Sequence, residues 1–220
     1  MSGWVLFTLI SASIVCFAAT MYSWYKKGYK QPLEDSYYTM TDKDLLMLID
    51  SQPDKLISAE MVSNNTSLTK KEAKARLTNL IYKGVLKSSH ASGFKYFYSL
   101  KQPIRPGPYP TLSNDPFLTV GDLMLLFKHF DYRVSIQDIC MATGLPVSVI
   151  REEMKHFIKK EIVREVINAV SDGMTHYSSS RFYILRDPYR NNPDAYLEQE
   201  EAIDFELKEI YKQAGLREDR

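Results

Sequence analysis

The residues best placed to do chemistry are cations set close together on one stretch. Lys70, Lys71, Lys74 and Arg76 fall within Leu68 to Leu86, LTKKEAKARLTNLIYKGVL, and Lys87, His90 and Lys95 follow. Ammonium and guanidinium groups at this spacing suit phosphate oxygens, while Thr78 and Asn79 add polar groups able to meet base edges. The same lysines also suit an ordinary solvated helix face. Catalytic chemistry finds no comparable grouping. The two cysteines, Cys16 and Cys140, form no CxxC pair, and His90, His129, His156 and His176 are scattered without an HExxH spacing. No P-loop, GxGxxG or GxSxG stretch occurs. Catalytic, metal-binding and cofactor-binding sets are therefore empty, no small-molecule substrate is indicated, and the chain reads as a non-enzyme.

The elements that must position these cations are legible from periodicity. Thr69 with Glu72 three residues on is a capping box. Ala73, Leu77, Leu80, Ile81 and Gly84 recur at spacings of three and four, so they share an inward face, with Lys70, Lys71, Lys74, Arg76, Thr78 and Asn79 on the flanks or outside. Gly84 suits a left-handed stop, and Val85-Leu86 opens a strand. KSSHASGFKYFYSL then reads as two strands around Ser92-Gly93. Two shorter helices precede: Asp44 to Asp50, capped by Thr41 or Asp42, and Ala59 to Asn64, capped by Ser58. Three helices and a hairpin in this order, with the "L…G-V-L" ending, resemble the winged helix-turn-helix superfamily. The resemblance implies a recognition helix over Leu68 to Leu86 with a wing beside it, in a fold that binds DNA in some members and protein in others.

The pattern then recurs. From Ile57, ISAEMVSNNTSLTKKEAKARLTNLIYKGVL lies without gaps on VSIQDICMATGLPVSVIREEMKHFIKKEIV from Val134, at a shift of 77 residues. Ser58 meets Ser135, Val62 meets Ile139, Thr66 meets Thr143, Leu68 meets Leu145, and the wing ends FYSL and FYIL agree. The copies diverge on the third helix. The second opens with Pro146 and carries Glu152 and Glu153 on predicted outer positions, where the first has Ala75 and Arg76. Carboxylates there oppose a phosphate backbone, and Arg151, Lys155, Lys159 and Lys160 sit beside Glu161 and Glu165. The second copy is accordingly expected to contact a partner or the first copy.

The expected fold class is mainly α with small β-hairpin wings (α+β): a single N-terminal transmembrane helix, two tandem winged-helix domains and a C-terminal helix. The boundaries are an anchor at 1–25, a juxtamembrane linker at 26–40, winged-helix domain 1 at 41–101, a Pro-rich linker at 102–115, domain 2 at 116–186, and an acidic tail at 187–220. Trp4 to Trp24 carries no charge and, at about 1.5 Å per residue, is long enough for a bilayer core of about 30 Å. Lys26, Lys27 and Lys30 follow it, which predicts a single-pass membrane protein with its remaining domains on the cytoplasmic side. A cleaved signal peptide is the alternative. The sequons at Asn64 and Asn65 are then chance matches.

The formal net charge is +1, unevenly spread. Thr41 to Lys101 holds ten Lys/Arg against six Asp/Glu, and Asp187 to Arg220 five against ten. A helix starting near Asn192 and running to about Ala214 presents Tyr196, Ile203, Leu207, Ile210 and Tyr211 as a stripe, for its own domain or a second copy of the chain. Two functions fit: a membrane-tethered, transcription-regulator-like protein reading duplex DNA mainly with the first winged helix, or a membrane-anchored adaptor binding protein or anionic lipid through the same modules.

Overall fold

The computed structural model describes residues 14–23, 25–91, 95–171, 177–192 and 200–213. Residues 14–23 are helical, and a π-helical turn at Lys26–Lys30 leads into α1, Gln31–Thr39. Three helices follow: α2 (Asp42–Asp50), α3 (Ala59–Asn65) and α4 (Lys70–Tyr82). Strands β1 (Leu86–Ala91) and β2 (Lys95–Leu100) form an antiparallel hairpin. After an irregular stretch come α5 (Val120–His129), β3 (Arg133–Val134), α6 (Ile136–Thr143), α7 (Val147–Lys159), β4 (Val163–Ser171) and β5 (Tyr177–Leu185), with strand order β3-β5-β4. Helix α8, Glu200–Gln213, is the last described element.

Two expectations are corrected here. Of the predicted span Trp4 to Trp24, residues 4–13 and Trp24 lie outside the described residues. Residues 14–23 rise only about 15 Å as a helix, and among the described residues no helix is long and apolar enough to cross a membrane. The single transmembrane helix, and the single-pass membrane placement built on it, are overturned on that finding. The stretch expected as a juxtamembrane linker, 26–40, is helical over 26–39. Pro32 sits in the first turn, and Ser36 turns its hydroxyl back to the Leu33 carbonyl at 2.6 Å. What α1 buries is Pro32 and Ser36, so it shows no apolar stripe for a period search to find.

The described buried apolar residues form one contiguous core. Leu45, Leu46, Ile49, Val62, Leu77 and Leu80 fill its first half, and Leu123, Phe127, Ile139, Ile150 and Phe157 its second. The shift of 77 holds down to single hydrogen bonds. Thr66 Oγ1 donates to the Val62 carbonyl and accepts from Leu68 N; Thr143 does the same with Ile139 and Leu145. Ile57 pairs with Tyr98 as an isolated bridge, and Val134 pairs with Tyr183 within β3 and β5. Each third helix ends identically: Gly84 N donates to Ile81 O and Val85 N to Leu80 O, while Glu161 N and Ile162 N meet Ile158 O and Phe157 O. Gly84 reaches φ +81° without cost, whereas Glu161 holds φ 60° with a Cβ in the way.

Helix α8 lies against α5 and α7, with Ile203 and Leu207 buried. Asp204 accepts from Val120 N at 2.9 Å, and Lys160 reaches Glu206 at 2.7 Å. The predicted ends, Asn192 as cap and a last turn near Ala214, adjoin or fall on residues of which nothing is described. Residues 193–199 and Ala214 lie outside the described residues, and the described helix begins at Glu200.

Two measurements probe this packing. Gly84→Ala should lower stability by about 1 kcal/mol and Glu161→Gly raise it by a similar amount, read from urea midpoints at constant slope. His156 packs beneath α8, where burial holds its imidazole below the ordinary range although Glu206 pulls the other way. The unfolded chain therefore takes up a proton that the folded chain resists. Stability should be intact above about pH 6.5 and fall as pH drops through the depressed folded value. A urea midpoint that declines from pH 7.5 to pH 5.5 by about the same amount in His156→Gln would refute this assignment.

Candidate nucleic-acid interface

Helix α4 starts where the capping box sets it. Glu72 N donates to Thr69 Oγ1 at 3.3 Å, and Thr69 N donates to Glu72 Oε2 at 2.7 Å. Ala73, Leu77 and Leu80 turn into the core as expected. Ala75 and Arg76 are also buried, on a second flank covered by α1 and α2. Two buried flanks leave a narrow exposed strip on this helix, and that strip decides which cations are available.

Arg76 is not among the available ones. Its side chain is 0% exposed, and Nη2 donates to Asp42 Oδ1 at 2.6 Å while Nη1 donates to Met40 O at 2.9 Å and Ser36 Oγ at 3.3 Å. The Tyr37 ring covers the guanidinium at 3.9 Å, and burial, with the Asp42 charge, pushes the Tyr37 phenol up to about 12. Asp42 is used twice, because its Oδ2 accepts from Val147 N, the first amide of α7, at 2.8 Å. The expected outward Arg76 is thus an interior tie between α1, α2, α4 and α7. Guanidinium at this position is legible only as a charge, and a buried charge needs a partner that spacing alone does not show.

The other predicted residues divide between structural and open positions. Lys71 Nζ donates to Lys27 O at 2.7 Å, Asn79 Nδ2 donates to the Tyr37 hydroxyl at 3.0 Å, and Thr78 hydrogen-bonds the Tyr98 phenol. Asn79 and Thr78 are half-buried, so neither projects freely towards a ligand. Lys70, Lys74, Lys87, His90 and Lys95 are exposed. Lys70, Lys74 and Lys95 are brought together from two elements along a groove of about 550 Å³ between α3, α4 and β2. Lys87 and His90 lie on β1 and do not line it.

The groove also holds residues that the charge pattern does not single out. Met61, Tyr96 and Phe97 are among its lining residues, and Glu60 stands 3.6 Å from Lys70. Tyr96 is 46% exposed and packs on His90 opposite it, ring centroids 4.2 Å apart. Alternation along KYFYSL places these rings on a strand but not against α4. Only pairing of the hairpin brings them there.

The second copy is differently disposed. Glu153, expected on the outer face of α7, is buried at 4% exposure, whereas Glu152 is exposed and meets Lys155 at 2.7 Å. Arg151 donates to the Lys83 carbonyl at 3.0 Å, at the end of α4. Gln137 donates to Gln102 O at 2.8 Å, and Arg105 stands 3.5 Å from Asp138. The opening of α7 therefore faces the first copy. No family model and no curated protein matches the chain.

Removing one partner of the buried pair leaves the other charge stranded. Arg76→Ala or Asp42→Ala should each cost about 3–5 kcal/mol in urea unfolding, while Lys74→Ala should change stability by less than about 0.5 kcal/mol. Equal, small effects at all three positions would contradict the interior placement of Arg76.

Proposed function

We propose that the chain is a DNA-binding protein of two tandem winged-helix units, in which the first unit grips DNA and the second braces it. The observation carrying this reading is the convergence of Lys70, Lys74 and Lys95, from a helix and a strand, on one groove opposed by a single carboxylate, Glu60. Ammonium groups fixed by two elements at once hold phosphates in a set register, whereas lysines on one solvated helix need share no target. Lys87, exposed on β1, extends the positive surface along the wing, and His90 is exposed on the same strand. Arg76 has no part in contact; it holds α4 in place.

The bracing role rests on α7. Its first amide is capped by Asp42, and Arg151 satisfies a carbonyl at the end of α4, so the helix corresponding to α4 is used internally. One DNA-facing helix per chain follows from that arrangement.

The test is binding of the whole chain to mixed-sequence DNA, duplex and single-stranded, across a salt series. A variant carrying Lys70→Ala, Lys74→Ala and Lys95→Ala is measured beside it. Affinity should fall steeply with salt, and the log–log slope should shrink in the variant by about 0.7–0.9 for each lysine–phosphate pair removed. Arg76 stays intact in both proteins because its loss would unfold α4. Absence of binding at low salt by the folded protein would sink the proposal.

A further inference from the structure

The nature of the strand is written in the shape of the site. A duplex-reading helix enters a major groove about 12 Å wide, which admits one helix of about 10–12 Å diameter. Helix α4 does not stand alone. Along its length Lys71 reaches Lys27, Arg76 reaches Ser36 and Asn79 reaches Tyr37, so α1 and the turn before it lie beside it. Two helices packed about 8–10 Å apart are too broad for that groove. The strip of α4 that remains open faces β2, where the surface is concave rather than ridged.

Resting on the DNA-binding reading above, we infer that the groove between α4 and β2 takes a single, unpaired nucleic-acid strand, with one base stacked on Tyr96 and the flanking phosphates on Lys70, Lys74 and Lys95. The chemistry of the walls is divided as such a ligand requires. Met61 and Tyr96 offer apolar surface for a base, and the three lysines offer donors for its backbone. Tyr96 is pre-positioned: its ring rests on His90 across the hairpin, which removes rotamer freedom that binding would otherwise have to remove. Glu60 holds Lys70 at 3.6 Å until a phosphate displaces it. A duplex keeps its bases stacked on one another and presents none to Tyr96. It can meet the lysines but not the ring.

The experiment uses the full chain and two probes at one moderate salt concentration: a fluorescein-labelled oligothymidylate and a blunt mixed-sequence duplex of the same length. Anisotropy should report binding of the single strand at least about ten-fold tighter than the duplex. Tyr96→Ala should weaken the single strand about ten-fold or more and the duplex little, while Tyr96→Phe, which keeps the ring, should match the parent. A single 2-aminopurine in the oligothymidylate should lose fluorescence on binding to the parent and to Tyr96→Phe, and not on binding to Tyr96→Ala. Equal or tighter duplex binding, or a single-strand affinity indifferent to Tyr96→Ala in a variant that melts like the parent, would overturn the inference. If that duplex binding still depends on the groove lysines, the DNA-binding reading stands without it. If the folded protein binds neither probe, both fall.

Discussion

A buried carboxylate–guanidinium pair, Asp42 with Arg76, is the constraint from which the rest of this structure follows. Both side chains are fully removed from solvent, which is costly for each charge unless every remaining valence is met. Four elements together meet most of that requirement, and the buried Arg76 Nε is left without a partner among the described residues. Arg76 donates to Met40 O and Ser36 Oγ beyond the ion pair, Tyr37 lies over its face, and the second oxygen of Asp42 takes the first amide of α7. Since these contacts come from different segments, α1, α2, α4 and α7 must arrive together. Such a pair adds little net stability over an apolar equivalent, but it penalises any packing in which one segment is displaced.

The use of Asp42 explains how two copies of one pattern come to differ. Thr69 caps α4 through its own hydroxyl, and the residue at the shift of 77 is Pro146, which has no side chain able to accept. The orphan amide of Val147 is satisfied from the first copy instead. The amide that Thr69 caps, Glu72 N, corresponds to Val149 N, which turns to the Pro146 carbonyl at 2.9 Å, while the first amide of α7 is paired across the two copies. The same device recurs where Asp204 of α8 accepts from Val120 N at the start of α5. Helix starts in this molecule serve as fastening points for distant acids.

The consequence for function is a matter of available surface. With α1 beside it and the core beneath it, α4 keeps one open side, and the hairpin turns that side into a groove. The proposed nucleic-acid contact is therefore set by elements that contribute none of its cations except Lys95. Bracing by α7 and covering by α1 hold the lysines of α4 in register with the aromatic rings of β2, which is the geometry that a base and its phosphates require.

Much of the local structure was legible in the residues. The capping box at Thr69 and Glu72, the Ser58 cap, the glycine stop at Gly84 and the inward face of α4 depend on neighbours within four positions, and the structure has them where the pattern placed them. Other features were not legible, for reasons that are physical. Helix α1 buries a serine and a proline rather than an apolar stripe, and so resembled a linker. Trp4 to Trp24 offered length and hydropathy, yet the described helices do not include one able to cross a membrane. Arg76 and Lys74 are both cations on one helix, and nothing within four residues tells which one faces Asp42. Of the candidate site, the three groove lysines were nameable from charge and spacing, but Tyr96, Phe97 and Met61 were not. The sequence by itself determined where α2, α3 and α4 begin and where α4 stops, because those choices are made by contacts along the chain. Tertiary structure alone decided which charges are buried and which remain open, because burial depends on residues tens of positions apart meeting in space, and a charge's role follows from its partner.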